Sequence, residues 1–278
     1  MYKLFAITGL LLLITFAAPA QVEVMTYNIK YATESDGENS WSKRKDHLTN
    51  QLKFYHPDVL GVQEALLGQL EHIKEHVTNY QYVGAARDDG KTKGEYSAVF
   101  YNTSKFELLE ENTFWLSETP NSPSKGWDAS FPRVCTYVKL KEKDSGKDFW
   151  VFNTHFDHQG DEAREKSTDL IMNKISEITK GDLPVILMGD LNLEPETAPI
   201  KKIAAQMNDS KEVAQIVSFG PEGTFNGYNF TQPVVRRIDY IFTSKDNVEV
   251  LKYGVLSDSK DLKYPSDHLP ILVKIRFL

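Results

Sequence analysis

Nine short runs of β-branched and aromatic residues recur along the chain, and most of them end beside a polar residue. They fall at residues 22–27, 58–63, 98–101, 134–140, 149–154, 184–188, 238–242, 248–253 and 271–277. Several alternate with period two, the mark of strands in a buried sheet. Helical patterns lie between them. Residues 42–55 place Leu48, Leu52 and Tyr55 on one face before Pro57 stops the helix. Residues 66–77 repeat Leu66, Leu70, Ile73 and Val77; residues 161–180 carry Leu170, Ile171, Ile175 and Ile178 up to Gly181. A shorter helix is predicted at 198–207. Two halves, each with strands and helices, predict two sheets packed face to face with helices outside. The proline-rich stretch 119–132 reads as a surface loop.

The N-terminus has a different character. Lys3 precedes an apolar run at 4–18, and Ala18-Pro19-Ala20 places small residues at a cleavage site, the order of a secretory signal peptide. The run is shorter than the ~18–20 residues of a spanning helix, so no stable membrane insertion is expected. The expectation is a signal peptide at 1–20 and one exported domain at 21–278, periplasmic or extracellular, which we take as a monomer. The single cysteine, Cys135, rules out a disulfide framework, so the domain must rely on its core. Composition gives 32 basic against 39 acidic residues, a net charge of −7 that loss of Lys3 makes more negative. That disfavours charge-driven attachment to a long polyanion. It leaves open an enzyme that meets phosphate through a bound metal.

The polar residues at the strand ends are the informative ones. Asn28 ends the first run, Gln63-Glu64 the second, and Asn153-Thr154-His155 the one before the long helix. Gly189-Asp190-Leu191-Asn192 follows Val185-Ile186-Leu187-Met188. Asp239 opens a strand in Arg237-Ile238-Asp239-Tyr240, and Ser266-Asp267-His268 precedes the last one. A carboxylate at a strand end is ordinarily a turn residue. Six such sites on one rim of stacked sheets are harder to explain that way. The Asp190-x-Asn192 pair, on an extended segment, would point both side chains to one face.

These six motifs, in this order and spacing, resemble the endonuclease/exonuclease/phosphatase superfamily, in its deadenylase-like and bacterial secreted branch. The likeness runs over essentially all of the chain after residue 21. It implies an α+β, four-layer αββα sandwich of the DNase I-like type, with two mainly antiparallel sheets, and Mg²⁺-dependent (or Mn²⁺-dependent) cleavage of a phosphoester. It implies Glu64 as the main metal ligand, with Asn28 and Asp267 beside it. It implies Asp190 as the group activating water, Asn192 as the adjacent amide donor, and His155 and His268 as phosphate-facing histidines. Asp239 would orient His268, and Glu95 would pair with His155. Arg133 and Arg44, the latter in a Trp-x-x-Arg element, match arginines that contact substrate phosphate. Lys30 stands where abasic-site endonucleases carry a further metal-binding aspartate, which argues for a one-metal site.

The substrate stays open at this level: nucleic acid, nucleotide, phospholipid head group or inositol phosphate. Loops 119–132 and 223–233, with Phe225, Tyr228 and Phe230, would discriminate among them. Other readings are a binuclear zinc site at His155-Phe156-Asp157-His158, a two-carboxylate glycosidase and a binding protein that has lost catalysis. In the first of these, Asp157, His158 and Asp161 would be ligands; otherwise they would cap the long helix.

Overall fold

A computed structural model describes residues 21–278; the predicted signal peptide, residues 1–20, lies outside the described residues. The elements, numbered in chain order, form two six-stranded sheets. The first contains β1 (Gln21–Asn28), β2 (Val59–Ala65), β3 (Tyr80–Val83), β4 (Tyr96–Asn102), β11 (Val248–Val255) and β12 (Ile271–Phe277), in the order β11-β12-β1-β2-β4-β3. The second contains β5 (Phe106–Trp115), β6 (Val134–Glu142), β7 (Asp148–His155), β8 (Val185–Asp190), β9 (Asn208–Asp209) and β10 (Asp239–Thr243), in the order β5-β6-β7-β8-β10-β9.

Each sheet is antiparallel except for one central parallel pair, β1 with β2 and β7 with β8. Parallel neighbours need a crossover. Helix α1 (Trp41–Tyr55) makes the first and α3 (Asp161–Thr179) the second. Helix α2 (Leu67–His76) follows β2, α4 (Ala198–Gln206) follows β8, and α5 (Ser210–Val213) is a single turn. The C-terminal ends of both parallel pairs point to the same rim of the sandwich, because Asn28 at the end of β1 bonds Asp190 at the end of β8. That rim is where the polar motifs fall.

Period-two alternation builds the layers. In β1, Val22 and Val24 face the second sheet, while Met25 and Tyr27 face α1 and α2. In β7, Phe149 and Val151 face the first sheet, while Trp150 and Phe152 pack on α3. Three apolar clusters result, one between the sheets and one under each helical layer, which is the predicted αββα order. One polar staple crosses the sheet–sheet core. Asn153 Nδ2 donates to the Val62 and Ala98 carbonyls (2.9 and 2.8 Å), and its Oδ1 accepts from Gln63 Nε2 at 2.6 Å.

All nine predicted strands and four predicted helices are present. The loop at 119–132 carries no strand or helix. Strands β3, β5 and β9 escaped prediction. β9 has two residues and β3 four. β5 is an edge strand whose middle, including Glu107, Glu110 and Glu111, faces solvent. Such charges protect an edge from pairing with another chain, and they erase the apolar pattern.

Candidate active site

The first sheet contributes Asn28 and Glu64. Asn28 is buried, and its Nδ2 donates to Glu64 Oε1 (3.0 Å) and Asp190 Oδ2 (2.9 Å), so one amide ties the two sheets together at the rim. Its Oδ1 accepts the Lys30 backbone N–H at 3.0 Å. Glu64 sits in a bulge of β2, between Val62 and Ala65, with a left-handed φ of 61°. A bulge re-aims a side chain out of the alternating pattern, here toward the cleft. Burial alone would raise the Glu64 carboxyl. The Lys30 and His268 charges and the hydrogen bonds from Asn28 and the Tyr31 N–H outweigh it and hold it below its ordinary value.

The second sheet contributes His155, Asp190 and Asp239. The register pairs His155 with Asp190 across β7 and β8, and Asp190 with Asp239 across β8 and β10. Gly189 has φ 145°, and a Cβ there would lie 1.9 Å from the Thr154 carbonyl oxygen, so only glycine fits before Asp190. His268 enters from the loop before β12. Its Nδ1 lies 2.9 Å from Asp239 Oδ2 and its Nε2 3.8 Å from Asp190 Oδ2. Asp239 Oδ2 also accepts from Thr224 Oγ1 at 2.5 Å.

Charge follows from this packing. Burial opposes a charged His268 ring, but Asp239 and Asp190 overcome it and push its pKa up to about 10, so the ring is an imidazolium at neutral pH. Burial and the neighbouring Asp239 raise Asp190 to about 7, against His268 and its hydrogen bonds. His155 moves the other way. Burial first, then Arg133 and Arg87, lower it well below its ordinary value, so its ring is neutral. One anionic group near neutrality, one cationic ring and one neutral ring therefore meet at one point, a separation of the kind that assigns acid and base roles.

The Asp-x-Asn pair differs from its prediction. β8 ends at Asp190, and Asn192 is left-handed (φ 50°), its N–H donating to Asp190 Oδ1 at 2.9 Å. The local turn, not strand alternation, brings the Asn192 amide to His155 Nε2 (3.2 Å) and the Phe156 carbonyl (3.1 Å).

Two sets of residues could hold a metal. Asp190, Asp239 and His268 each bring a ligand atom within 4.8 Å of the others. There, however, the His268 proton and ring charge already compensate the carboxylates. Glu64 and Asp267 instead face the Lys30 ammonium, which stands 3.7 and 3.8 Å from their oxygens. Hard carboxylate donors numbering one or two suit Mg²⁺, and the ammonium marks the space between them as favourable to a cation. Glu64 and Asp267 could hold a divalent cation. Asn28, predicted as a ligand, turns its nitrogen to Glu64 and its oxygen to the Lys30 N–H, so here it positions the carboxylates.

Two further predicted roles change, those of Arg44 and Glu95, while Asp157 takes the capping place expected for it before the long helix. Arg44 does not reach the cleft. Its Nε donates to the Asn39 carbonyl, its Nη1 to those of Ile29 and Pro265, and its Nη2 to that of Lys30. With its donors spent on backbone, Arg44 clamps the loops that carry Lys30 and Asp267. Glu95 lines the cleft, but its bonded partner is Arg87 Nη1 at 2.6 Å, not His155. Asp157 caps the Gln159 and Gly160 N–H groups just before α3 and pairs with Arg133 Nε at 3.3 Å, which does not assemble a zinc site with His155 and His158. The first turn of α3 is capped from the 119–132 loop, by Asp128 accepting from the Glu162 and Ala163 N–H groups. Arg133 does line the cleft. His158 Nδ1 lies 3.1 Å from its Nη2, and its buried Nη1 has no hydrogen-bond partner among the described residues.

Together these groups line a cleft of about 520 Å³, joined by Tyr31, Phe131, Phe225 and Arg236. Phe225 stands edge-on to His268 at 5.1 Å, while Phe230 packs on Tyr264. Arg87, Thr224 and Phe131 were missed in the sequence. They lie in loops without periodicity, and only Arg87 carries a charge that could have drawn attention.

A four-layer sandwich with this rim of carboxylates, amides and histidines defines a phosphoric ester hydrolase. Residues 25–268 match the model of the Endonuclease/Exonuclease/phosphatase family, and the chain belongs to that family. It is similar to a family protein of known structure from Bacteroides thetaiotaomicron, with TM-score 0.89 and 38% identity over 94% of this chain and 99% of the other. It is equally similar to the mannosyl-6-phosphatase of Bacteroides thetaiotaomicron, with TM-score 0.88 and 38% identity over 92% of this chain and all of the other (100%). The probable RNA exonuclease NGL3 of Saccharomyces cerevisiae is 30% identical over 64% of this chain, which spans only 39% of that protein's length.

Proposed function

We propose that this protein is an exported, divalent-metal-dependent phosphomonoesterase that hydrolyses a small sugar phosphate by in-line attack of water. The observation that carries the reading is the charge arrangement at the rim, where Asp190, the His268 imidazolium and neutral His155 converge beside Glu64 and Asp267. The likeness to a mannosyl-6-phosphatase supports the sugar phosphate. Lys3, the apolar run and the Ala18-Pro19-Ala20 site support export. Among the described residues no helix is long and apolar enough to cross a membrane.

The residues divide the work as their environments dictate. Asp190 in its ionised form takes a proton from the attacking water, its carboxyl held near the working pH by burial. Asn192, fixed by the turn after β8, positions that water. The His268 imidazolium, kept charged by Asp239, stabilises negative charge building on the phosphoryl oxygens. Neutral His155, whose Nε2 takes the Asn192 amide, donates to the same oxygens only through Nδ1, and Arg133 donates through Nη1, which has no partner among the described residues. Mg²⁺ on Glu64 and Asp267, when bound, would neutralise phosphate charge.

A nuclease reading draws on the likeness to a probable RNA exonuclease. The net charge of −7 weighs against it for a long strand. Hydrolysis should be measured with Mg²⁺ and with EDTA, as phosphate release from mannose 6-phosphate, glucose 6-phosphate and AMP, as p-nitrophenol release from bis-p-nitrophenyl phosphate and as shortened product from an RNA oligonucleotide. The expected result is turnover of the sugar phosphates that EDTA abolishes and Asp190→Ala removes. Activity that survives chelation, or cleavage confined to the oligonucleotide, would overturn the reading.

A further inference from the structure

We infer that Arg87, Glu95 and Phe131 form a leaving-group subsite that recognises the hydroxyls and one C–H face of a hexose ring, an inference that rests on the sugar-phosphate reading above. The three residues line the same cleft as the reacting groups, and Arg87, Glu95, Arg133 and His155 adjoin one another within it. None of the three is needed to hold His155, Asp190 or His268 in place through a hydrogen bond of its own.

The Arg87–Glu95 pair is built to stay fixed. The Arg87 N–H donates to the Glu95 carbonyl at 3.0 Å, and the Arg87 carbonyl accepts from Trp115 Nε1 at 2.7 Å. Between them, Asp89 Oδ1 collects the N–H groups of Lys91, Thr92 and Lys93 and ties the connecting turn. The side chains meet through Nη1 and Oε2 at 2.6 Å. Glu95 Oε1 has no hydrogen-bond partner among the described residues, nor has Arg87 Nη2 or the buried Arg87 Nε. A charged acceptor and a charged donor thus lie side by side at a cleft wall, with capacity left over. Neighbouring hydroxyls of a sugar offer the matching donor and acceptor, and hydrogen bonds to charged groups are the stronger kind.

Phe131 supplies the second half. It is 47% exposed, although aromatic, and it is held from two sides. The Arg87 guanidinium carbon lies 5.1 Å from its ring centroid, and the His158 ring stacks on it at 6.2 Å with a 16° tilt. His158 is in turn held by Arg133. The ring is braced without being covered, and close to half of the residue stays exposed beside a polar pair. A pyranose has the same division, an apolar C–H face and a hydroxylated edge. A nucleotide would split these features, with the stacking face on its base and the vicinal hydroxyls on its ribose, where a pyranose carries both on one ring.

The test compares two substrates in the metal-loaded enzyme, mannose 6-phosphate and ethyl phosphate, which shares the phosphate but carries neither sugar hydroxyls nor a ring. Glu95→Gln keeps the shape and can still accept from Arg87; Phe131→Ala changes a half-exposed rim residue, so a folding defect in one variant leaves the other informative. A site built around hydroxyls discriminates steeply against a ligand that lacks them. The expected result for each variant is a rise in KM for mannose 6-phosphate at least about ten-fold greater than the change for ethyl phosphate, most of it in KM and not in kcat. Equal losses on both substrates would overturn the subsite and return Glu95 to a role at the reacting phosphate, while leaving the sugar-phosphatase reading intact. Wild-type enzyme that hydrolyses AMP but not hexose phosphates would overturn both, and would do so before any variant is made.

Discussion

The Lys30 ammonium stands 3.7 Å from Glu64 Oε2 and reaches Asp267 Oδ2 at 3.8 Å, in the space between two carboxylates suited to a divalent cation. A fixed positive charge there competes with a metal. Unit charges 4 Å apart interact by about 4 kcal/mol at an effective dielectric of 20; the 22% exposure of the Lys30 side chain reduces that. Lys30→Met should therefore bind Mg²⁺ roughly ten-fold more tightly, read by isothermal titration calorimetry. Unchanged or weaker binding would place the metal elsewhere.

The rate should depend on pH through both partners of the rim. Asp190 must be ionised, so activity falls as pH drops below about 7, or lower still with a cation nearby. His268 must stay protonated, and its alkaline limb lies toward about 10. Asp239→Asn removes the main source of that rise. We expect the alkaline limb to move to lower pH and kcat to fall about 100-fold. The same ring contributes stability that is complete below its unfolded pKa of roughly 6.5 and is lost as pH rises through the folded value.

Arg44 belongs to stability and not to substrate binding. Arg44→Ala would strand the carbonyls of Ile29, Asn39 and Pro265 and leave that of Lys30 with Gln69 Nε2 alone. A cost of about 2–4 kcal/mol follows from buried acceptors left without charged donors. Calorimetry should show a lower Tm, with KM for substrate altered less than a lost phosphate contact would require.

Asn153 tests the junction between the sheets. In Asn153→Leu the Val62 and Ala98 carbonyls lose the Asn153 amide inside the core, and Gln63 Nε2 keeps only Thr26 Oγ1. Unsatisfied buried groups of this kind cost about 1–3 kcal/mol each, so Tm should fall by about 5–10 °C. A neutral result would mean that the two sheets adjust or admit water there.

Strands and helices with strong periodicity were legible because their two faces meet different layers. The Val22–Val24 and Met25–Tyr27 alternation, or Ile171 and Ile175 on α3, states its burial in the order of residues. The edge strand β5 was not legible, since most of it meets water. Among site residues, those at strand ends were found, and Arg87, Thr224 and Phe131 were not. Their loops obey no period, and their positions depend on what they pack against.

The order of residues alone determined the sandwich, its family and the set of polar strand ends, because periodicity and motif spacing are local properties of the chain. Partners were decided only by the tertiary structure. Arg44 spends its donors on four backbone carbonyls, Glu95 joins Arg87, and Lys30 stands between Glu64 and Asp267. Each of those choices is made across loops or between the two sheets. Hydrogen bonding and charge neutralisation at such distances act on positions in space, which one-dimensional spacing does not record.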